Sequence, residues 1–480
     1  MFAYIIIGIL VLILLLILVL IIRTIQFKPL KEKSTESFEI DVDKKAIISR
    51  FQEMIKCKTV SYKDTTLEDQ EEFVKFKNLL IEKYPAVNGS CQLHHIGRTG
   101  VLYHWKGKSS ERPSVFMAHY DVVPVNKDQW DKDPFAAVIE DDVLWGRGTL
   151  DTKGTLCGIM EATELLIKDG FTPKNDIYLS FSGDEETNGA SAKVIVDFLD
   201  DKGVKPFMVL DEGGAIVEGV IPGVKEKAAL IGTGEKGKLR IKLSIKSQGG
   251  HGSAPPPTSQ IGKLGKAVNR IENSPFKFHL SQPVKDMFNI IGPYSSFGLR
   301  MVFANLSFFA PLLNLLTKKT GGELNALVRT TIAFTKMQGS NTINVIPPFA
   351  SIEGDVRVME GDTKESIIQG IQNRIKDKNI LVEALDDIPV KPFSNIDNEP
   401  WNILKQGIQS IWPQVIISPY LMLACSDSRS YTKISENVYR FSAMELSSAE
   451  RKLIHGNNER IPVDKLITTV KFFASMMNRL

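Results

Sequence analysis

His119 and Asp121 stand two residues apart in His119-Tyr120-Asp121, directly after the apolar run Val115-Phe116-Met117-Ala118. If that run is a strand, both side chains point to the same face. A histidine so placed can bind a metal ion while a carboxylate supports its other ring nitrogen, the usual arrangement around a zinc histidine. Alone, the pair reads more simply as a satisfied histidine beside a loop. Asp151 lies in Gly146-Arg147-Gly148-Thr149-Leu150-Asp151-Thr152-Lys153-Gly154, where by itself it would be a helix cap. Glu185-Glu186 follows the apolar Ile177-Tyr178-Leu179-Ser180-Phe181 and by itself would be a solvated loop. Asp211 ends Phe207-Met208-Val209-Leu210, and His455 lies far downstream in Leu453-Ile454-His455-Gly456-Asn457-Asn458-Glu459. Together the odds change. Two histidines and several carboxylates at the ends of strand-like runs match the ligand set of a two-metal hydrolytic site.

The elements that would position them follow from the same runs. Short, unbroken apolar stretches are the mark of strands buried on both faces. Between them Leu156, Ile159, Met160, Thr163, Leu166 and Ile167 recur at helical spacing, and Gly170 stops the helix. Strand–helix–strand alternation predicts an α/β domain with a doubly wound, mostly parallel sheet. Ligands in such sheets sit at the carboxyl ends of strands, where these residues cluster. After Gly232 the pattern changes. Leu239 to Ile245 and Ile352 to Val358 alternate strictly, as half-exposed strands do, and a helical stretch runs from Lys364 to Lys376. We therefore expect an inserted α+β domain at about 233–388, and a catalytic domain made of 43–232 and 389–480.

The chain opens with residues 2–22, which carry no charge. Twenty-one helical residues span roughly 31 Å, enough to cross a bilayer core. A secretory signal peptide is the competing reading, but no basic residue precedes the run and no A-x-A-like cleavage site follows. Arg23, Lys28, Lys31 and Lys33 come after it, and taken alone that bias puts the body in the cytoplasm. Residues 23–42 read as a polar tether. A second apolar stretch, Met301 to Leu316, is broken by Asn305 and Pro311 and is too short to span. It reads as core of the inserted domain or a subunit contact, with an apolar ligand wall or a membrane-facing patch as alternatives.

Composition narrows the rest. The 480 residues are 43% apolar and 24% charged, with a net charge of +3, which excludes disorder and gives no sign of a nucleic-acid partner. Four scattered cysteines with no CxxC exclude a disulfide scaffold and a zinc ribbon, and leave the redox compartment open.

HYDVVPV, GRGTLDTKGT, FSGDEETNGA, LDEGG and HGNNER, in this order and spacing, closely resemble the M20 family of metallopeptidases. The length and the N-terminal apolar segment look most like its carboxypeptidase S / N-fatty-acyl-amino-acid synthase-hydrolase branch. The resemblance implies two zinc ions: His119 and Asp211 on one, Glu186 and His455 on the other, Asp151 bridging both through a cis Asp151–Thr152 bond. It makes Asp121 the residue that orients His119 and Glu185 the general base and acid. The inserted domain would be the family's lid. In it His251 would help hold the oxyanion, and Asn344 and Arg357 would grip the substrate's carbonyl or carboxylate. Arg357 could equally pair with Asp355 or Glu353. Ser426-Asp427-Ser428-Arg429 resembles a T-D-S-R loop that lines the site in this branch, with Ser426 in place of threonine. In dimeric members the lid histidine reaches the partner's site, and the sequence leaves homodimerisation open.

The expected function is a membrane-anchored amidohydrolase or carboxypeptidase. It would cut the amide beside a C-terminal free carboxylate in small peptides or N-acyl amino acids. The alternatives are a cytoplasm-facing aminoacylase or deacylase, and an inactive receptor or scaffold that keeps the fold. The last is disfavoured because none of the expected ligands is missing. The acyl group, the side-chain preference and the membrane side are not legible.

Overall fold

The apolar runs that end in acids or histidine are strands, and they lie side by side in one sheet. In the computed structural model, which describes residues 1–29 and 35–480, eight strands run in the order Cys91–Ile96, Gly100–Trp105, Asn175–Ser182, Ser109–His119, Met208–Val217, Val438–Glu445, Ala228–Glu235 and Ile416–Met422. Pairing is parallel through the middle, from Asn175–Ser182 to Val438–Glu445, and again between Ala228–Glu235 and Ile416–Met422. The edge that starts at Cys91 is antiparallel. Pro113 to His119 are all buried, as a strand covered on both faces requires.

Helix Lys153–Lys168 packs behind this sheet against Val463–Arg479. A Cβ at Gly158 would lie 2.7 Å from Thr469 Cγ2, so only glycine permits that approach. The helix stops where expected: Gly170 has a φ of +76°, and the amides of Asp169 and Gly170 cap its last carbonyls.

A second sheet has its own core. Its four antiparallel strands run in the order Thr331–Gln338, Phe349–Val358, Gly237–Lys246 and Leu381–Ile388. Leu239, Ile241, Leu243 and Val356 point inward onto Leu264, Ile271, Ile367 and Ile371 of helices Gln260–Glu272 and Lys364–Ile375. Lys238, Arg240, Lys242, Asp355 and Arg357 lie on the wetter face, so the alternation in the sequence has this physical cause. Residues 282–328, which fall inside the expected lid interval, behave differently. Val284, Met287, Phe288, Ile291, Phe303, Leu327 and Val328 join the core of the large sheet. The segment Met301 to Leu316 is therefore not lid core.

Phe2–Gln26 forms one helix, long and apolar enough to cross a membrane. It runs four residues past Ile22, into the expected tether. Residues 35–42 are not a free tether either. Phe38, Ile40 and Val42 pack on the large core, and the Phe38 amide donates to Ser410 O at 3.1 Å. Lys31 and Lys33 lie outside the described residues. Asp43 caps the helix Lys44–Lys56 through Ala46 N at 3.0 Å, so the body begins as a helix there.

Candidate metal centre

His119 at a strand end, Glu185 and Glu186 just past another, Glu212 within a third and the loops carrying Asp151 and His455 converge beside the large sheet. His119 closes its strand and is 2% exposed. Its Nδ1 lies 3.0 Å from the backbone oxygen of Asp121, which can only accept, so Nδ1 carries the proton and donates. That leaves Nε2 facing Asp151 Oδ1 at 3.0 Å and Glu212 Oε1 at 3.3 Å. The Asp121 carboxylate is 3.4 Å from the ring and has other work. It accepts from Ser61 Oγ at 2.7 Å and from the amides of Glu185 and Glu186 at 3.1 Å each. Asp121 thus ties the His119 turn to the Glu185–Glu186 turn. It positions His119 mainly through its carbonyl.

The Asp151–Thr152 peptide bond is cis, as the resemblance implies. Its loop is built on Glu459, a buried carboxylate 308 positions downstream. Glu459 Oε1 accepts from the amides of Leu150 and Asp151 at 2.7 and 3.2 Å, and Oε2 accepts from Gly148 N and Arg147 Nη1 at 3.0 and 2.7 Å. The small sheet of Arg460–Pro462, Val143–Trp145 and Ile139–Glu140 brings these two segments together. The same segment delivers His455, whose Nε2 lies 3.0 Å from Asp151 Oδ2 and 2.9 Å from Glu186 Oε2. His455 has a φ of +57°, a conformation that costs an ordinary residue about 1–3 kcal/mol and clusters at functional sites.

Two groups of ligand atoms result, each with its atoms within 4.8 Å of one another: His119, Asp151 and Glu186, and His119, Glu185 and Glu212. Asp211 belongs to neither. Met208–Val217 sets Glu212 Oε1 3.3 Å from His119 Nε2, at a point where the strand's pairing register shifts just beyond Asp211. Asp211 Oδ2 instead accepts from Ser428 N at 3.0 Å. Glu212, not the expected Asp211, is the acid of this strand that the structure groups with His119. The sequence held a signal for this, since both acids stand in Leu210-Asp211-Glu212-Gly213-Gly214.

The electrostatics ask for cations. Burial raises Glu185 well above the ordinary carboxylate range, and the neighbouring charges of Asp427, Glu212 and Glu186 push the same way. Burial likewise lifts Glu212 to about 8 and Asp427 to about 7. Burial also works to raise Asp151, but hydrogen bonds from His119 and His455 outweigh it and hold Asp151 below the usual range. His455, bonded to Asp151 and Glu186, is raised to about 10. Buried acids in excess over bases are costly unless a proton or a metal compensates them. The residues present fit divalent ions: imidazole nitrogen and carboxylate oxygen are the donors such ions take.

The remaining expected residues have other contacts. Asp427 accepts from Ser182 Oγ and lies close enough for its charge to act on Glu185. Ser426 gives its amide and hydroxyl to Glu235 at 3.0 and 2.7 Å, in a buried pair with Arg440. It anchors the loop. Arg429 Nη2 donates to Asn188 Oδ1 at 3.3 Å. Arg357 Nε pairs with Asp355 at 2.9 Å, and Nη1 reaches Leu423 O at 3.5 Å. His251 and Asn344 lie on an exposed ribbon, where Gly252 N donates to Asn344 O at 2.8 Å and His251 Nδ1 bonds Ser253 Oγ at 2.7 Å. Among the described residues, no hydrogen bond joins that ribbon to the metal-ligand cluster.

A family model described as Peptidase family M20/M25/M40 matches residues 115–479. "Probable carboxypeptidase S-like 2" of Dictyostelium discoideum is 35% identical over 426 residues, covering 87% of this chain and 81% of that protein. The Homo sapiens "N-fatty-acyl-amino acid synthase/hydrolase PM20D1" is 31% identical over 411 residues, 84% of this chain and 82% of that one. Human carnosine dipeptidase 1 shares the fold, with a TM-score of 0.66 at 13% identity over 91% of this chain and 96% of that one. The protein belongs to peptidase family M20/M25/M40 and is a metal-dependent hydrolase of amide bonds.

Proposed function

We propose that this is a membrane-anchored, two-zinc amidohydrolase that cuts the amide next to a free carboxylate in N-acyl amino acids or small peptides. The observation that carries it is the pair of ligand groups sharing His119, with His455 closing the far side on Asp151 and Glu186. The substrate class rests on the relatives, whose names are those of an N-fatty-acyl-amino acid synthase/hydrolase and of carboxypeptidase S-like proteins. The anchor rests on the exposed apolar helix Phe2–Gln26.

His119 and Glu212 would hold one ion, Glu186 and His455 the other, and Asp151 would bridge them. Bound there, the ions supply Lewis-acid activation of a water and polarisation of the scissile carbonyl. The rest falls to the chain. Glu185 takes the water's proton on its carboxylate and hands it to the leaving amine nitrogen. Its high proton affinity, from burial and from Asp427, suits a group that must carry that proton between the two events. Asp121 fixes where Glu185 stands, through the amide it accepts from. Arg357 is the group proposed to receive the substrate carboxylate. A guanidinium binds a carboxylate through two charge-assisted bonds, and here it would exchange Asp355 for the substrate.

Hydrolysis of long-chain N-acyl amino acids and dipeptides, with and without a chelator, tests this reading. Chelation should abolish cleavage of the preferred class. Arg357→Ala should raise KM roughly 10–100-fold for free acids, the worth of a charged hydrogen bond, and far less for the matching amides. Equal losses on acids and amides would leave Arg357 with only its Asp355 pair.

A further inference from the structure

Helix Leu306–Thr320 shows its apolar side to the outside. Phe308, Pro311, Leu312, Leu315 and Leu316 recur at i, i+3, i+4, i+7 and i+8, one continuous stripe, and all five are exposed. A surface helix of a soluble body turns such a stripe inward. Here the inward face is a different one: Leu306 and Leu313 pack on the large core, and Thr317 is buried beside Arg329. Phe297, at the start of the preceding helix Phe297–Ala304, is also exposed.

The corner at which helix Leu306–Thr320 begins adjoins the N-terminal helix. The two short helices meet at Asn305 with a bend of 115°. Asn305 is buried and donates through Nδ2 to Leu20 O at 3.3 Å. Leu20 and Thr24 are the buried residues of the helix Phe2–Gln26, and Phe27 follows onto Gly292. Residues 2–19 are exposed. The corner thus grips the helix at its last apolar turn, which in a spanning helix is the level of the lipid headgroups. Arg23 and Lys28 are exposed at this end of the N-terminal helix, Lys318 and Lys319 in the last turn of the stripe's own helix, and cations near the headgroups attract anionic lipid.

We propose that Phe297, Phe308, Pro311, Leu312, Leu315 and Leu316 form an interfacial contact with the bilayer that the N-terminal helix spans. This rests on the reading of that helix as an anchor. The lipid surface is favoured as occupant because the stripe's helix starts at the corner that holds the lipid-facing helix and ends in the exposed Lys318 and Lys319. An amphipathic helix in such a position lies along the interface with its apolar face in the acyl boundary. The body is then held against the membrane in one orientation.

The test uses the full chain in vesicles of phosphatidylcholine with a minor share of phosphatidylserine. Leu312→Cys, in a Cys425→Ser background, carries an environment-sensitive fluorophore, and lipids spin-labelled on the acyl chain act as quenchers. The other cysteines are buried. Leu10→Cys reports the span, and Lys378→Cys on the exposed edge of the lid reports water. The expected result is several-fold stronger quenching at Leu312 than at Lys378. Quenching at Leu10 with none at Leu312 overturns this proposal and leaves the anchor standing. No quenching at either overturns both. A Leu312 label shielded from water but untouched by lipid quenchers, with self-quenching between labelled chains, assigns the stripe to a second copy and overturns the lipid contact.

Discussion

His119 and His455 both aim Nε2 at Asp151, each 3.0 Å from one of its carboxylate oxygens, yet one is 2% exposed and the other 54%. His119 sits on a strand in the middle of the sheet, its ring locked by the Asp121 carbonyl. His455 sits on a loop, in a left-handed conformation, with Gly456 and Asn457 beside it. One half of the cluster is preorganised by the sheet. The other depends on Glu459 and the small three-stranded sheet to hold loop against loop. The two-ion site proposed above should hold its ions unequally, with the His455 side the more easily emptied.

The largest effects should come from the adjacent acids Glu185 and Glu186, which serve different halves. Glu185→Ala leaves His119, Asp151, Glu212, Glu186 and His455 in place. It should keep both metals while kcat falls roughly 10²–10⁴-fold, the usual worth of a positioned general base. Glu186→Ala strips a charged ligand from the exposed half, so metal content should drop toward one ion per chain. Metal analysis beside kcat on both variants separates the roles. A metal lost from Glu185→Ala, or two retained by Glu186→Ala, would reverse the assignment.

Next in size are the supports of each half. Glu212→Ala should empty the buried side, whereas Asp211→Ala should retain its metal and cost stability through the Ser428 loop. Glu459→Gln keeps the size but removes the charge that Arg147 and three amides converge on. Changes to such supporting groups cost about 10–100-fold in metal affinity, and here the loss should fall on the ion shared with His455. Titrating the apo variants with zinc, with affinity read for each step, checks both statements. If Asp211→Ala loses the first ion and Glu212→Ala does not, the two acids have been assigned the wrong way round.

Much of this was legible in the sequence, and where it was not the reason is physical. The runs ending at His119, Asp184 and Asp211 are strands because continuous apolar residues are what a doubly covered strand needs. The strands of the second sheet showed themselves by alternation. Those same continuous runs hide the choice between Asp211 and Glu212. A strand buried on both faces carries no period-two signal, so the sequence does not say which acid looks toward His119. Glu459 was inside a recognised motif, but its partners lie some 310 positions upstream, and no local pattern encodes a pairing that distant. Ser426 kept the hydroxyl expected of it, and the fold spends that hydroxyl on Glu235. The packing of 282–328 on the large core is likewise a tertiary choice. Amphipathic helices declare that they will bury a face, not against which sheet.

The smallest effect that still tells the two halves apart is their response to acid. A metal-bound imidazole must be neutral at the coordinating nitrogen, so metal and proton compete for each histidine. For His455 the dominant influences are the hydrogen bonds to Asp151 and Glu186, which favour the charged ring and raise it to about 10 in the metal-free chain. For His119 the largest single influence is burial, which opposes the charge, although the surrounding acids prevail. Both rings thus favour the charged form in the metal-free chain, and the difference between them is access: His455 is 54% exposed and His119 2%. As pH falls, each displaced proton weakens a metal by about tenfold per pH unit, and the His455-side ion should leave first. Equilibrium dialysis of the zinc-loaded protein from about pH 8 down to about pH 5, across the range in which histidine sites exchange metal for protons, should show two steps of metal loss. His455→Ala should erase the earlier step and leave the later one. Simultaneous loss of both ions in the unmodified chain would mean that Asp151 couples the halves so tightly that their difference in burial has no thermodynamic consequence.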